Sequence, residues 1–261
     1  ERRLAREYQQ EETLVTVGGS EAIDLCISAL VNPGDEVIIP EPCYVCYHPI
    51  TTLTGGVPVC VPLKAENQFK LTPEQLRSAI TPRTKLLILP FPNNPTGTVM
   101  TREDLRALAD VLKGTDIVVL SDEIYAELTY TGEPHFSIAR FPDMKERTIV
   151  VNGFSKAYAM TGWRLGYACG PKPLIAVMTK IHQSAIMCAP TTSQYAAVIA
   201  LKSCDDDIEE MKPGYDLRRR FLVSPLSELG LTCCDLRAAF SVLTYLSRTR
   251  IPRESFLPTL F

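Results

Sequence analysis

Leu86-Leu87-Ile88-Leu89-Pro90-Phe91-Pro92-Asn93-Asn94-Pro95-Thr96-Gly97, then Thr101 to Leu112, then Ile117-Val118-Val119-Leu120-Ser121-Asp122, is the stretch that decides the fold. The two short apolar runs have no polar alternation, which is the pattern of strands buried on both faces. Between them Leu105, Leu108 and Leu112 recur at helical spacing, and Thr101-x-x-Asp104 has the spacing of a capping box with Asp in place of the usual Glu. Strand, helix, strand in this order predicts a mainly parallel sheet with helices on both faces, an α/β fold.

The same alternation extends in both directions. Leu14–Val17, Glu36–Ile39, Val57–Val61 and Thr148–Val151 read as further strands, and Ser20–Val31 reads as a helix stopped by Asn32-Pro33-Gly34. Five strands run directly into polar or glycine-bearing loops: Gly18-Gly19-Ser20-Glu21, Glu41-Pro42-Cys43-Tyr44, Asn93-Asn94-Pro95-Thr96-Gly97, Asp122-Glu123-Ile124-Tyr125 and Asn152-Gly153-Phe154-Ser155-Lys156. In an open α/β sheet, ligands bind outside the carboxyl ends of the strands, so these five ends are expected to meet at one crevice.

Composition excludes several classes. The 261 residues are 46% hydrophobic and 22% charged, the balance of a globular chain able to bury a core without metals or disulfides. Thirty acidic against 27 basic residues leave a net charge of -3, which offers no attraction for nucleic acid or an anionic membrane. No apolar run approaches the ~20 residues of a membrane helix. An odd count of nine cysteines and a charged start, Glu1-Arg2-Arg3, predict thiols in a reducing compartment, the cytoplasm or an organelle matrix, with the cytoplasm the expectation. Cys43-x-x-Cys46 has no second pair, and none of the three histidines has ligand spacing, so no metal is expected.

The loop residues suggest chemistry. Gly18-Gly19-Ser20 at a helix start offers amides, a dipole and a hydroxyl to an anion, although a glycine pair there also suits a plain tight turn. Neither a dinucleotide fingerprint nor a P-loop is present. Lys156 lies in an apolar, glycine-punctuated stretch that would desolvate its amine, lower its pKa and let it attack a carbonyl. Taken singly, Lys156 also fits a surface lysine, Asp122 a helix cap, Asn94 a turn, Tyr125 and Tyr44 packing and Arg164 a solvated pair. Their joint order argues for one aromatic aldehyde cofactor.

Gly153-Phe154-Ser155-Lys156-Ala157-Tyr158-Ala159-Met160-Thr161-Gly162-Trp163-Arg164-Leu165-Gly166, with Asn94-Pro95-Thr96-Gly97 and Ser121-Asp122-Glu123-Ile124-Tyr125, resembles the three hallmarks of class I/II aminotransferases, pyridoxal-phosphate (PLP) enzymes of fold type I. The likeness runs from about Thr13 to Cys234 and is nearest the aspartate and aromatic branch. It implies that Lys156 joins PLP as a Schiff base and later moves a proton, that Asp122 pairs with the pyridine nitrogen, and that Tyr125 and Asn94 bond the phenolate oxygen. It further implies that Arg164, Ser155, Gly19 and Ser20 hold the phosphate and that the Tyr44 ring stacks on the cofactor. The implied activity is amino transfer between an L-amino acid and a 2-oxo acid by a homodimer; a PLP lyase or synthase, or a non-catalytic PLP-binding remnant, are the alternatives.

The resemblance also sets expectations for the ends. Residues 1–212 are read as the PLP-binding large domain lacking its N-terminal segment, and 213–261 as a linking helix and a partial, divergent small domain. Pro213-Gly214 predicts a helix break. None of Arg237, Arg248, Arg250 and Arg253 sits in a matching motif for binding a substrate carboxylate. Gly153 stands where many relatives have serine, which removes one phosphate hydroxyl.

Overall fold

A computed structural model describes residues 7–228, 232–233, 236–239 and 244–245. Seven strands form one sheet: β1 (Thr13–Thr16), β2 (Glu36–Glu41), β3 (Val57–Pro62), β4 (Thr84–Leu89), β5 (Val118–Asp122), β6 (Thr148–Gly153) and β7 (Gly166–Cys169), in the order β1-β7-β6-β5-β4-β2-β3. All neighbours pair parallel except β7, which runs antiparallel to both β1 and β6. The helices are α1 (Gly18–Leu30), α2 (Tyr47–Leu53), α3 (Pro73–Ala79), α4 (Arg102–Leu112), α5 (Lys172–Ala185), α6 (Thr191–Ser203) and α7 (Asp205–Glu228). A short pair, β8 (Thr232–Cys233) and β9 (Thr244–Tyr245), stands apart from the main sheet.

The central strands bury both faces, as their uninterrupted apolar runs require. Val37, Ile39, Leu86, Ile88 and Leu120 pack with Ile23 and Ile27 of α1 and Ile175 and Met178 of α5 on one side. Ile38, Leu87, Leu89 and Val119 pack with Leu76 of α3 and Leu105, Leu108 and Leu112 of α4 on the other. Each such side chain contributes about 1.5–3 kcal/mol by leaving water. The period of two then fixes the site: Asp122 shares the face of Leu120, while Ser121 and Glu123 turn to the opposite face.

The Thr101–Asp104 box forms with aspartate: Thr101 Oγ1 accepts from the Asp104 amide at 3.2 Å, and Asp104 Oδ2 accepts from the Thr101 amide at 2.8 Å. Three expectations are corrected. The first helix begins at Gly18 rather than Ser20, because Gly18 adopts a φ of 78° that lets the chain turn straight from β1 into the helix. Strand β7 goes unpredicted, being four residues long with small residues at Gly166 and Ala168. The break expected at Pro213-Gly214 does not occur: α7 runs from Asp205 to Glu228 with Pro213 inside it. An interior proline costs a helix about 3 kcal/mol. The offsetting contacts are Ile208, which is buried, and Met211 and Tyr215, which pack on Tyr125, Leu128 and Ala239 from both sides of the proline.

Residues 236–239 dock beside the loop after β4. The Arg237 amide donates to the Gly97 carbonyl at 3.0 Å, and Ala238 bridges to Thr129. Gly97 has φ 67°, and a Cβ there would lie 2.8 Å from Leu236 Cδ2 and 2.9 Å from the Ala238 carbonyl oxygen, so glycine is required on both counts. Arg237 itself is exposed; Arg248, Arg250 and Arg253 lie outside the described residues.

Candidate active site

Where β1 turns into α1, Thr16 Oγ1 donates to the Gly18 carbonyl at 3.0 Å. Behind this corner lies Gly166, where a Cβ would fall 2.6 Å from both Gly18 C and Gly19 N; only main chain fits there. The first-turn amides of α1, including those of Gly19 and Ser20, have no partner within the helix, and the helix dipole makes their neighbourhood favourable for an anion. Arg164 supplies the cation. A Cβ on Gly18 would stand 2.5 Å from Arg164 Nη2, so the glycine leaves the space the guanidinium uses. Arg164 is held in the left-handed region at φ 52°, its Nη1 donates to the Thr161 carbonyl at 2.9 Å, and Thr161 Oγ1 donates to the Ser155 carbonyl at 2.8 Å.

In the same cavity Asp122, at the tip of β5, is 7% exposed. Tyr47 donates its hydroxyl to Asp122 Oδ2 at 2.7 Å, and the Ile124 amide donates to Oδ1 at 3.2 Å. Burial pushes the Asp122 carboxyl above its ordinary value; the Tyr47 bond, the Ile124 amide and the Lys156 charge pull against it. Burial also lowers the Lys156 amine, helped by the Arg164 charge and opposed by Asp122. Lys156 Nζ stands 5.5 Å from the centre of the Tyr125 ring. The Tyr125 hydroxyl is pushed up to about 12 by burial and by Asp122, so it remains a donor at neutral pH.

Tyr44 and Tyr47 meet edge to face, 5.8 Å between centres at 81°, and the Tyr44 hydroxyl lies 3.3 Å from Ser20 Oγ. Asn94 is carried on a loop pinned by its neighbour: Asn93 Oδ1 accepts from the Thr96 amide at 3.1 Å and from Thr96 Oγ1 at 2.8 Å.

The nine residues that the resemblance assigns to the cofactor line one cavity of about 190 Å³: Gly19, Ser20, Tyr44, Asn94, Asp122, Tyr125, Ser155, Lys156 and Arg164. It is a small-molecule space lined by an acid, a guanidinium, an amine, a phenol and the first residues of α1. Four contributors escaped the sequence reading. Tyr47 and Thr161 line the cavity, Gly166 backs the anion corner, and Glu123 lies under β5. Glu123 is fully buried; its Oε1 accepts from Ser121 Oγ at 2.8 Å and Ser137 Oγ at 2.6 Å, and its Oε2 lies 3.2 Å from His135 Nε2. The adjacency of Tyr47 to Tyr44, three residues on and at the start of a short helix, was the one available signal. At Gly153 a Cβ would lie 3.0 Å from Gly166 Cα and from the Leu165 carbonyl oxygen, so a side chain there would press on main chain.

Among the described residues no group of three or more His, Cys, Asp or Glu side chains is placed to hold a metal, and no helix is long and apolar enough to cross a membrane.

Comparison with known proteins bears on this geometry. The family "Aminotransferase class I and II" matches residues 1–255, past the Cys234 limit expected from the motifs. The putative aminotransferase YugH of Bacillus subtilis (strain 168) is 48% identical over 249 residues, covering 95% of this chain and 64% of that one. The aspartate aminotransferase of Geobacillus stearothermophilus is 42% identical, covering 90% of this chain and 60% of its own. A Thermus thermophilus aspartate aminotransferase tetra mutant superposes with a TM-score of 0.89 at 42% identity, over 94% of this chain and 69% of that chain. The chain thus spans about three fifths of the length of the curated relatives it matches. With that match over nearly its whole length, the chain belongs to the class I and II aminotransferases, a PLP-dependent family of fold type I.

Proposed function

We propose that the chain carries the cofactor-holding part of an aminotransferase that moves an amino group between an L-amino acid and a 2-oxo acid. The observation that carries this reading is that Asp122, at the end of β5, and Lys156 and Arg164, from the connection between β6 and β7, line one cavity. The donor set fits PLP, because the corner at Gly18 is a cradle that a Cβ would fill and the guanidinium beside it matches phosphate oxygens. Bound there, PLP supplies an aldehyde that condenses with amines and a ring that accepts electron density from the carbon being deprotonated.

The remaining work falls to the chain. Arg164, Ser155 and the Gly19 and Ser20 amides would bind the phosphate. Asp122 would hold the pyridine nitrogen in its protonated form, since a buried carboxylate favours a cation beside it. Tyr125 and Asn94 would donate to the phenolate oxygen, and the Tyr44 ring would pack on the ring face. Lys156, with its pKa lowered by burial and by Arg164, is the nucleophilic amine and afterwards the group that carries the substrate Cα proton.

On this reading the cofactor-holding domain is residues 1–212 and the smaller one lies within 213–261, a division that falls inside α7 (Asp205–Glu228). Exposed apolar side chains, Trp163, Met187, Tyr195 and Ile199, support a second copy as the partner that covers them. Free thiols at Cys26, Cys43, Cys46, Cys60, Cys169, Cys188 and Cys204 support a cytoplasmic setting.

The test is chemical. Chain incubated with PLP and reduced with borohydride should gain a pyridoxyl group on Lys156, and the holoenzyme should turn an L-amino acid into its 2-oxo acid. A folded chain that takes no adduct at Lys156 refutes the reading.

A further inference from the structure

Val17 is the residue that caps α1, and its apolar side chain has no oxygen to offer. Its amide, at the corner between β1 and α1, donates instead to Glu21 Oε2 at 2.5 Å. The other oxygen of that carboxylate lies 2.9 Å from His182 Nδ1. His182 comes from α5, whose buried stripe is Ile175, Met178 and His182, and it is 4% exposed. A polar ring in that stripe, set against α1, therefore has a specific partner and is not packing alone.

The corner of the anion cradle is thus fixed on three sides. Thr16 holds the Gly18 carbonyl, the Gly166 main chain fills the back, and Glu21 holds the Val17 amide. Neither Glu21 nor His182 lines the cavity. Both oxygens of Glu21 are engaged by nitrogen donors, and its charge sits in the first turn of α1, where the helix dipole favours it.

We propose that Glu21, held by His182, is a positioning residue for the phosphate cradle: it sets the direction of the Gly18–Ser20 main chain and thereby lets the chain prefer a phosphorylated cofactor over the same ring without phosphate. This inference rests on the PLP reading above. An ordinary first-turn carboxylate would contribute to stability only, and its loss would weaken every ligand alike.

The experiment titrates the full chain with PLP and, separately, with pyridoxal, following the fluorescence of Trp163, the single tryptophan, which adjoins Arg164. Glu21→Ala should weaken PLP by about ten- to a hundredfold, the range for losing a charge-assisted hydrogen bond, and leave pyridoxal unchanged. Glu21→Gln should retain most of the PLP affinity, because an amide oxygen still accepts from Val17. Should Glu21→Ala fail to fold, His182→Leu makes the same comparison, with a smaller loss confined to PLP. Equal losses for both ligands, or no loss for PLP, overturn the role of Glu21. A wild-type chain that does not distinguish PLP from pyridoxal overturns the cofactor reading itself, whereas a wild type that distinguishes them with unchanged variants overturns Glu21 alone.

Discussion

Tyr47→Phe tests the electrostatics around Asp122. The substitution keeps a ring that is 1% exposed and deletes only the hydroxyl that donates to Asp122 Oδ2 at 2.7 Å. A hydrogen bond to a charged group is worth about 1.5–3 kcal/mol, and the bond matters most while Asp122 is ionised. The sign follows from linkage. Burial raises the folded carboxyl above its unfolded value, so between those two values the native chain binds more protons than the unfolded one. That stabilisation is complete below the ordinary carboxylate range and is lost as pH rises through the folded value. Tyr47 opposes the shift by bonding the ionised form, so Tyr47→Phe should move the Asp122 carboxyl further up. The variant should lose about 1.5–3 kcal/mol at pH 8 and distinctly less at pH 4, read from urea unfolding of the cofactor-free chain at each pH. In the Asp122→Asn background the pH dependence of the loss should vanish. An equal loss at both pH values would show that the hydroxyl serves packing and not the charge on Asp122.

Gly166→Ala should destabilise by about 1–3 kcal/mol or more, because the new Cβ meets main chain at 2.6 Å on an adjoining segment, and the loss would be read as a lower urea midpoint together with weaker PLP binding. Arg164→Gln removes one of the two influences that lower the Lys156 amine, so the pH profile for acylation of Lys156, followed by peptide mass spectrometry, should move to higher pH. An unmoved profile would assign the lowering to burial alone. Ser137→Ala takes one of the donors from the fully buried Glu123 and should cost about 1–3 kcal/mol in urea unfolding, with the cavity residues themselves untouched.

The parts of the fold legible in the sequence were those where local pattern and tertiary role coincide. The run at 86–89 is apolar throughout because helices cover both faces, and the Thr101–Asp104 spacing forms its cap from residues in direct sequence reach. Strand β7 was invisible because its short run owes its place to main-chain packing of Gly166 on Gly18 and Gly19, a contact across about 150 residues of chain. Pro213 misled for the opposite reason. Its local penalty is real, yet Ile208, Met211 and Tyr215 hold the flanking turns against a wall that no local rule contains. The site residues were legible as chemistry-bearing types after strands; their supports were not. Tyr47, Glu123 and His182 look like ordinary polar residues, and only the fold shows that each bonds a group near the cavity.

The supports explain how one cavity keeps an acid, an amine and a guanidinium without collapsing. Burial disfavours the charged form of both Asp122 and Lys156, and the two groups shift in opposite directions for that reason. Each also opposes the other's shift, so removing either enlarges the shift of the survivor. Arg164 is fixed independently, in a left-handed backbone conformation that a non-glycine residue adopts at a cost of about 1–3 kcal/mol, with its guanidinium tied to Thr161. The unfavourable features therefore collect at the carboxyl ends of strands whose bodies are conventional core. A stabilising substitution aimed at this cavity, such as Asp122→Asn, is expected to raise the stability of the cofactor-free chain at neutral pH while removing the charge that would hold the pyridine nitrogen. The loss of function and the gain in stability would then have one physical origin, the desolvated carboxylate at the tip of β5.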